Sequence, residues 1–300
     1  MKVVIAGGTG FLGHALSQSL AADGHEVCLL TRGSGDRTFK TVSWTPNGAS
    51  GPWASAIDGA DAVVNLAGES IAAKRWTAAQ KQKILDSRVQ ATRSLATAIQ
   101  GCPNPPSVFV SGSAVGYYGP LADDVVTEDT PPGSDFLARV CVTWEEEARR
   151  AGTPRTRVTC IRTGLVLARD GGALPPMLPP FRFGAGGPVG SGRQYWPWIH
   201  RQDWVDLVRW AIRTPESGAA INATAPNPVT NAEFTDTLGT AVHRPTMLPI
   251  PKFGPRLLLG AELAENLLFT GQRVVPRVLL DDGYEFRHPD LADALQAAIA

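Results

Sequence analysis

The run Gly7-Gly8-Thr9-Gly10-Phe11-Leu12-Gly13 follows directly on four apolar residues, Val3-Val4-Ile5-Ala6. Such a pattern requires a strand to end, the chain to turn tightly on glycine, and a helix to begin. The turn aims several backbone N–H groups and the positive helix end at one place, which suits a pyrophosphate. The spacing is Gly-x-x-Gly-x-x-Gly, a variant of Gly-x-Gly-x-x-Gly. Gly7 serves the turn, Gly10 the approach of phosphate, and Gly13 the packing of helix on strand. Thr9, Phe11 and Leu12 count with them as cofactor contacts. Leu12, Ala15, Leu16, Ser19 and Leu20 predict one packed helix face, closed by Gly24.

A second strand, Glu26 to Thr31, ends at Arg32, nineteen positions after Gly13. An NAD site places Asp or Glu near this point, on the ribose hydroxyls; a basic residue favours the extra 2′-phosphate of NADP. Arg32 offers a planar guanidinium for that phosphate and for the adenine face. Thr31 and Arg32 are therefore cofactor candidates, and Arg37 is able to share or take over the role. The alternative is a solvated loop arginine.

Strand and helix patterns continue to alternate. Strands are predicted near Thr41–Trp44, Asp61–Leu66, Ser107–Ser111, Arg157–Arg162 and Ala220–Asn222, and helices from Thr77 to Gln100, Ser134 to Gly152 and Asp203 to Arg213. The strands are continuous apolar runs, as in a parallel sheet covered on both faces. The fold class is α/β, a doubly wound Rossmann-type sheet whose ligands gather at the carboxyl ends of the strands. Residues 1–222 form this domain, with a Gly/Pro-rich segment at about 171–197 that holds no long helix and acts as a lid or binding loop. Residues 223–300 read as a smaller C-terminal domain, opened by the capping box Thr230-Asn231-Ala232-Glu233 and closed by a helix after Pro289.

Net charge is zero with no block of Lys or Arg, so there is no electrostatic case for nucleic acid or an anionic membrane. Cys28, Cys102, Cys141 and Cys160 show no Cys-x-x-Cys spacing and read as thiols of a reducing compartment. Met1-Lys2 leads straight into the first strand, and no apolar run reaches membrane-spanning length. These features point to the cytoplasm. No metal-ligand spacing occurs.

Three segments, the glycine loop, Asn65-Leu66-Ala67-Gly68 and Ser113-Ala114-Val115-Gly116-Tyr117-Tyr118-Gly119, together resemble the extended short-chain dehydrogenase/reductases of the NAD-dependent epimerase/dehydratase group. The chain is most similar to an atypical branch called epimerase family proteins. Its marks run along the whole chain, among them Gly68-Glu69-Ser70-Ile71, Trp144-Glu145, Gly190-Ser191-Gly192-Arg193-Gln194 and Gly271-Gln272-Arg273-Val274-Val275-Pro276. The resemblance implies an NADP(H)-binding oxidoreductase or epimerase-like enzyme acting on a small molecule. That group uses a tyrosine with a lysine four residues later, the lysine lowering the phenol pKa. Here the residues four places after Tyr117, Tyr118, Tyr195 and Tyr284 are Leu121, Ala122, Ile199 and His288, and no lysine lies between Lys83 and Lys252. Phe136, Leu137 and Cys141 occupy the helix where the pair belongs. The dyad is absent.

Ser113 matches the group's serine that binds the reacting oxygen; its other reading is a turn serine. Tyr117 and Tyr118 are expected on the loop facing the cofactor, as a substitute phenol or a substrate wall. Leu66, Ala67 and Gly68 are expected along the adenosine and ribose, Arg88 within reach of the cofactor, and Val166 near the nicotinamide. Arg182 and Arg193 either bind an anionic substrate or rim the cleft, and His200 either titrates or fixes a loop. The competing reading is a cofactor-binding sensor that has lost catalysis, since relatives of this branch are associated with cell-division control.

Overall fold

The computed structural model describes residues 1–33, 38–215, 217–246 and 248–300. Arg37 lies outside them. Seven strands form one parallel sheet: β1 (Lys2–Ala6), β2 (Glu26–Thr31), β3 (Lys40–Ser43), β4 (Ala62–Asn65), β5 (Val108–Ala114), β6 (Arg157–Thr163) and β7 (Ala220–Ala223). Their order is β7-β6-β5-β4-β1-β2-β3. The chain winds outward from β1 to β3, then returns to β4 on the other side of β1. That reversal leaves a crevice at the carboxyl ends of β1 and β4.

Both faces of the sheet are buried, which explains the unbroken apolar strands. Val3 and Ile5 point into a core shared with α1 (Phe11–Ala22) and, later in the chain, a helix over Arg201–Arg213. Val4 and Ala6 point the other way, toward α2 (Ala78–Gln100) and α3 (Phe136–Arg149). The predicted cap of α2 forms, with Thr77 accepting from the Gln80 N–H. On α1 the buried stripe is Gly13, Leu16, Ser17 and Leu20. Ser17 takes the inward place expected for Ser19 because its Oγ bonds back to the Gly13 carbonyl at 2.7 Å.

Three local expectations change. Asp135, not Ser134, caps α3, because its carboxylate accepts from the Ala138 N–H at 2.8 Å, and the helix ends at Arg149. The Gly/Pro-rich stretch, expected as a lid or binding loop without a long helix, carries a short one, α4 (Leu174–Arg182), despite Pro179 and Pro180 inside it. Burial of Leu174, Leu178 and Phe181 against Trp196, Trp198 and Phe234 outweighs the backbone bonds the prolines remove. The helix α5 (Arg201–Arg213) starts two residues before Asp203, since His200 supplies its cap.

The capping box at Thr230 opens α6 (Asn231–Ala241), as predicted. A last helix, Leu291–Ile299, packs with α6 and α4 in a third core. Between these helices the chain returns to the sheet. Arg273–Val274 pairs in parallel with Val125–Val126, and Leu279 enters the α1/α5 core. The buried Asp203 carboxylate takes the N–H groups of Arg287 at 2.6 Å and His288 at 3.1 Å, holding this segment to α5.

The glycine loop shows why these positions are glycine. Gly7 has φ +80°, and a Cβ there would stand 2.7 Å from the Leu66 carbonyl at the end of β4. A Cβ on Gly13 would stand 2.2 Å from the Gly7 oxygen. Gly7→Ala is therefore expected to destabilise the fold by at least about 1–3 kcal/mol, from strain and overlap together. Urea unfolding checks this; an unchanged midpoint would contradict it.

Candidate active-site cleft

The strand ends and the loops around them enclose a cleft of about 570 Å³. At one end stand Gly7, Gly10, Phe11, Leu12 and Gly13 of the glycine loop, with Leu66, Gly68 and Arg88 beside them. A Cβ on Gly10 would meet only the Gly7 oxygen, at 3.2 Å, so the space above this residue is open. Gly10 caps α1 with no side chain, which leaves the first-turn N–H groups without a partner in the helix. Arg88 lies under Gly68 and over the Trp144 ring, 5.1 Å from its centroid, and Nη1 donates to the carbonyls of Glu69 and Ile84.

Ser113 stands at the carboxyl end of β5, in the middle of the cleft. Its Oγ donates to Glu145 Oε1 at 2.8 Å. Glu145 lies on the inward stripe of α3 and is wholly buried. Arg162, on β6, grips the same carboxylate twice, Nε to Oε1 at 2.8 Å and Nη2 to Oε2 at 3.0 Å, and Arg149 adds a bond at 2.7 Å. Burial, the largest single influence, opposes the charge on Arg162, but Glu145 and Tyr118 together outweigh it and push its pKa up. Cys141 also lines the cleft, and burial pushes its thiol up to about 12.

The two tyrosines do not reach the cleft. Tyr118 is buried, its hydroxyl donating to Asn222 Oδ1 at 2.6 Å and accepting from Arg162 Nη1 at 2.9 Å. Burial pushes its phenol up to about 12 against the pull of Arg162. The Tyr117 ring lies 3.6 Å from the Arg162 guanidinium and edge-on to Tyr118. The demand of a buried guanidinium draws both side chains inward, where the sequence expectation had them facing the cofactor.

Other predicted residues divide in the same way. Val166 is a core residue, and its neighbours Thr163, Gly164 and Leu165 line the cleft. Thr9 faces a second hollow with His14, Gln18 and Arg201. Ala67 packs beside Gly7, with its N–H on Asn65 Oδ1. Arg32 is exposed just past β2, and Thr31 Oγ1 accepts from the Gly33 N–H. Arg182 and Arg193 are not among the lining residues; Tyr195, Trp196 and Pro197 of the Gly/Pro-rich segment are. His200 caps α5 instead of fixing a loop, its Nδ1 accepting from the Gln202 N–H at 3.2 Å.

The remaining wall comes from Asn266, Leu267, Thr270, Gly271 and Gln272, none of which was a candidate. Gln272 is tied across to the Gly119 carbonyl at 2.7 Å. Glu145 and Arg162 were also missed as site residues. Their signal is present in the sequence: an acid on the apolar stripe of a helix and an arginine inside an apolar strand.

A family model for the NAD dependent epimerase/dehydratase family matches residues 3–224, and a domain of unknown function, DUF1731, matches residues 250–298. The chain is 43% identical over 305 residues to epimerase family protein SDR39U1 of Bos taurus, covering 100% of both. It is 37% identical over 304 residues to epimerase family protein YfhF of Bacillus subtilis, covering 100% of this chain and 98% of that protein. Among solved structures, human epimerase family protein SDR39U1 (isoform 2) with NADPH superposes with a TM-score of 0.91 at 39% identity, over 100% of this chain and 99% of that one. A nucleoside-diphosphate sugar epimerase from Corynebacterium glutamicum superposes at 0.79 with 33% identity, over 100% of this chain and 58% of that one.

Two outcomes follow from the side-chain geometry. Tyr118→Phe leaves Asn222 Oδ1 without its donor in a buried place and is expected to cost about 1–3 kcal/mol of stability; an unchanged denaturation midpoint would show that the network is slack. His200 is lowered to about 4, first by burial and then by the facing His288, with ring centroids 4.1 Å apart. Its unfolded value is near 6.5, so the unfolded state binds the proton first, and this contribution is lost as pH falls from about 6.5 to about 4. His200→Asn keeps an acceptor for the cap, and its melting temperature should drop less than the wild type's between pH 7 and pH 5.

Proposed function

Because the chain belongs to the NAD dependent epimerase/dehydratase family, we propose that it binds NADP(H) in this cleft and acts on a small molecule as an oxidoreductase or epimerase-like enzyme. The observation that carries the reading is one continuous cleft from the uncapped start of α1 to Ser113. The open space over Gly10 is a cradle that a Cβ would begin to fill, and the first-turn N–H groups suit a pyrophosphate there. The NADPH in the human relative's structure supports the same assignment.

In this reading Gly10, Leu12 and Gly13 hold the pyrophosphate. Leu66, Ala67 and Gly68 follow the adenosine and ribose, Arg32 takes the 2′-phosphate, and Arg88 flanks the cofactor. Thr163 to Leu165, rather than Val166, stand near the nicotinamide. When bound, that ring exchanges a hydride with the carbon of the reacting group. Ser113 holds the oxygen on that carbon, while Leu137, Val140 and Trp144 exclude water from it. The four free cysteines fit a reducing compartment such as the cytoplasm, and no helix among the described residues is long and apolar enough to cross a membrane.

A second reading, a cofactor-dependent sensor without turnover, is favoured by one observation. The lining residues include no lysine, and Tyr117 and Tyr118 are engaged by Arg162 instead. Tight NADPH binding with no NADPH consumed across a broad carbonyl panel would select it.

Titration with NADPH and NADH tests the cofactor assignment. A charge-assisted phosphate contact is worth about 1.5–3 kcal/mol, so NADPH is expected to bind about ten- to hundredfold tighter. Arg32→Ala should remove that margin, and Gly10→Val should abolish binding of both cofactors in a folded protein. Equal affinities in the wild type would overturn the preference, and unchanged binding in Gly10→Val would move the phosphate elsewhere.

A further inference from the structure

The Ser113 hydroxyl has one hydrogen, and its position decides what the cleft holds at this point. Glu145 offers four lone-pair sites, and each meets a donor. Oε1 accepts from Ser113 Oγ and Arg162 Nε, and Oε2 accepts from Arg162 Nη2 and Arg149 Nη2. A carboxylate held against two guanidinium groups accepts in every one of these bonds, so the Ser113 hydrogen points into the protein. The oxygen of Ser113 then faces the cleft with lone pairs alone. Cys141, a neutral thiol in hydrogen-bond contact with Ser113, is a weak acceptor and a weak donor, so it does not compete with the Glu145 carboxylate for the hydrogen.

The surroundings limit the rest of the ligand. Charged side chains lining the cleft, among the described residues, are Arg88 and Asp135. Asp135 is committed to capping α3, and Arg88 is assigned to the cofactor in the reading above. The rest of the lining is mostly apolar, with Ile71, Leu137, Val140, Trp144, Trp196 and Leu267, and its polar members Ser70, Tyr195, Asn266, Thr270 and Gln272 are uncharged. There is no further cation to meet a second pyrophosphate, and an ionised ligand would lose its hydration without return.

We infer that Glu145 is a positioning residue that turns Ser113 into a hydrogen-bond acceptor, so that the cleft takes an uncharged, largely apolar alcohol whose O–H donates to Ser113. This rests on the cleft being the substrate site of the proposed oxidoreductase. A carbonyl oxygen would set its lone pairs against those of Ser113, unless the hydroxyl broke from Glu145 and left a buried acceptor short of its donor. Of an alcohol–carbonyl pair, the alcohol is the better-held member.

A matched set tests this: 1-phenylethanol, its methyl ether and acetophenone, titrated by tryptophan fluorescence against the protein alone and against the protein with a redox-inert tetrahydro analogue of NADPH. One hydrogen bond predicts that the alcohol binds about three- to tenfold tighter than the ether or the ketone. Ser113→Ala should bring the ratio to about one. Glu145→Gln can present an amide N–H to Ser113, turning the hydroxyl hydrogen toward the cleft, and should reverse the preference in favour of the ketone. A merely structural role for Glu145 would lower affinity for all three without reversing their order. If Glu145→Gln fails to fold, Ser113→Ala decides. The proposal is overturned by ketone binding as tightly as alcohol in the wild type, by a preference that survives Ser113→Ala, or by UDP-glucose binding where none of the three does. Loss of NADPH binding would instead defeat the cofactor assignment, since the titrations of the protein alone stand without it.

Discussion

Glu145 and Arg162 form a buried ion pair between α3 and β6, with side chains 0% and 3% exposed. Removing two charges from water costs several kcal/mol per ion, and only a complete set of hydrogen bonds offsets it. The pair meets that demand by recruiting its neighbours. Ser113 and Arg149 complete the carboxylate, and Tyr118 and the Glu128 carbonyl accept from Nη1 of the guanidinium. Each recruit fixes something else. Ser113 sets the polarity of the cleft floor, and Tyr118 passes the constraint to Asn222 on β7. Such a pair adds little net stability as a rule, but removing one partner would leave an uncompensated buried charge.

The same logic extends to the far wall of the cleft. The Asn222 N–H donates to the Glu128 carboxylate, which also accepts from the Arg277 N–H. Asn222 Nδ2 donates to the Val275 carbonyl. The stretch that carries Gly271 and Gln272 is thus fastened to the sheet through polar bonds to β7 and to the loop after β5. Burial of Leu279 in the α1/α5 core holds its other side. The late segment Asn266 to Gln272 thus becomes part of a site whose floor is made early.

In the family to which the chain belongs, a phenol and a lysine on one helix handle the proton. Here α3 presents Leu137, Cys141 and Trp144 to the cleft and keeps the wholly buried Glu145 behind Ser113. The helix that would carry the chemistry has become the support of a hydroxyl.

Local rules carried the sequence far. The turn on Gly7, the packing of Gly13, the caps at Thr77 and Thr230 and the strands buried on both faces follow from contacts a few residues apart or from an unbroken apolar pattern, so the doubly wound sheet was legible. The helix through Pro179 and Pro180 was not, because its stability lies in apolar partners from α6 and the final helix rather than in its own backbone. Tyr117 and Tyr118 were misplaced for the same kind of reason. Their position after β5 is local, but their direction is decided by Arg162, 44 residues from Tyr118, and by Asn222, 104 residues away. The sequence by itself determined the elements, their order and the glycine loop, since those depend on spacing along the chain. Which side chains face the cleft was decided only by tertiary structure, because a buried charge takes its partners from wherever the fold brings them.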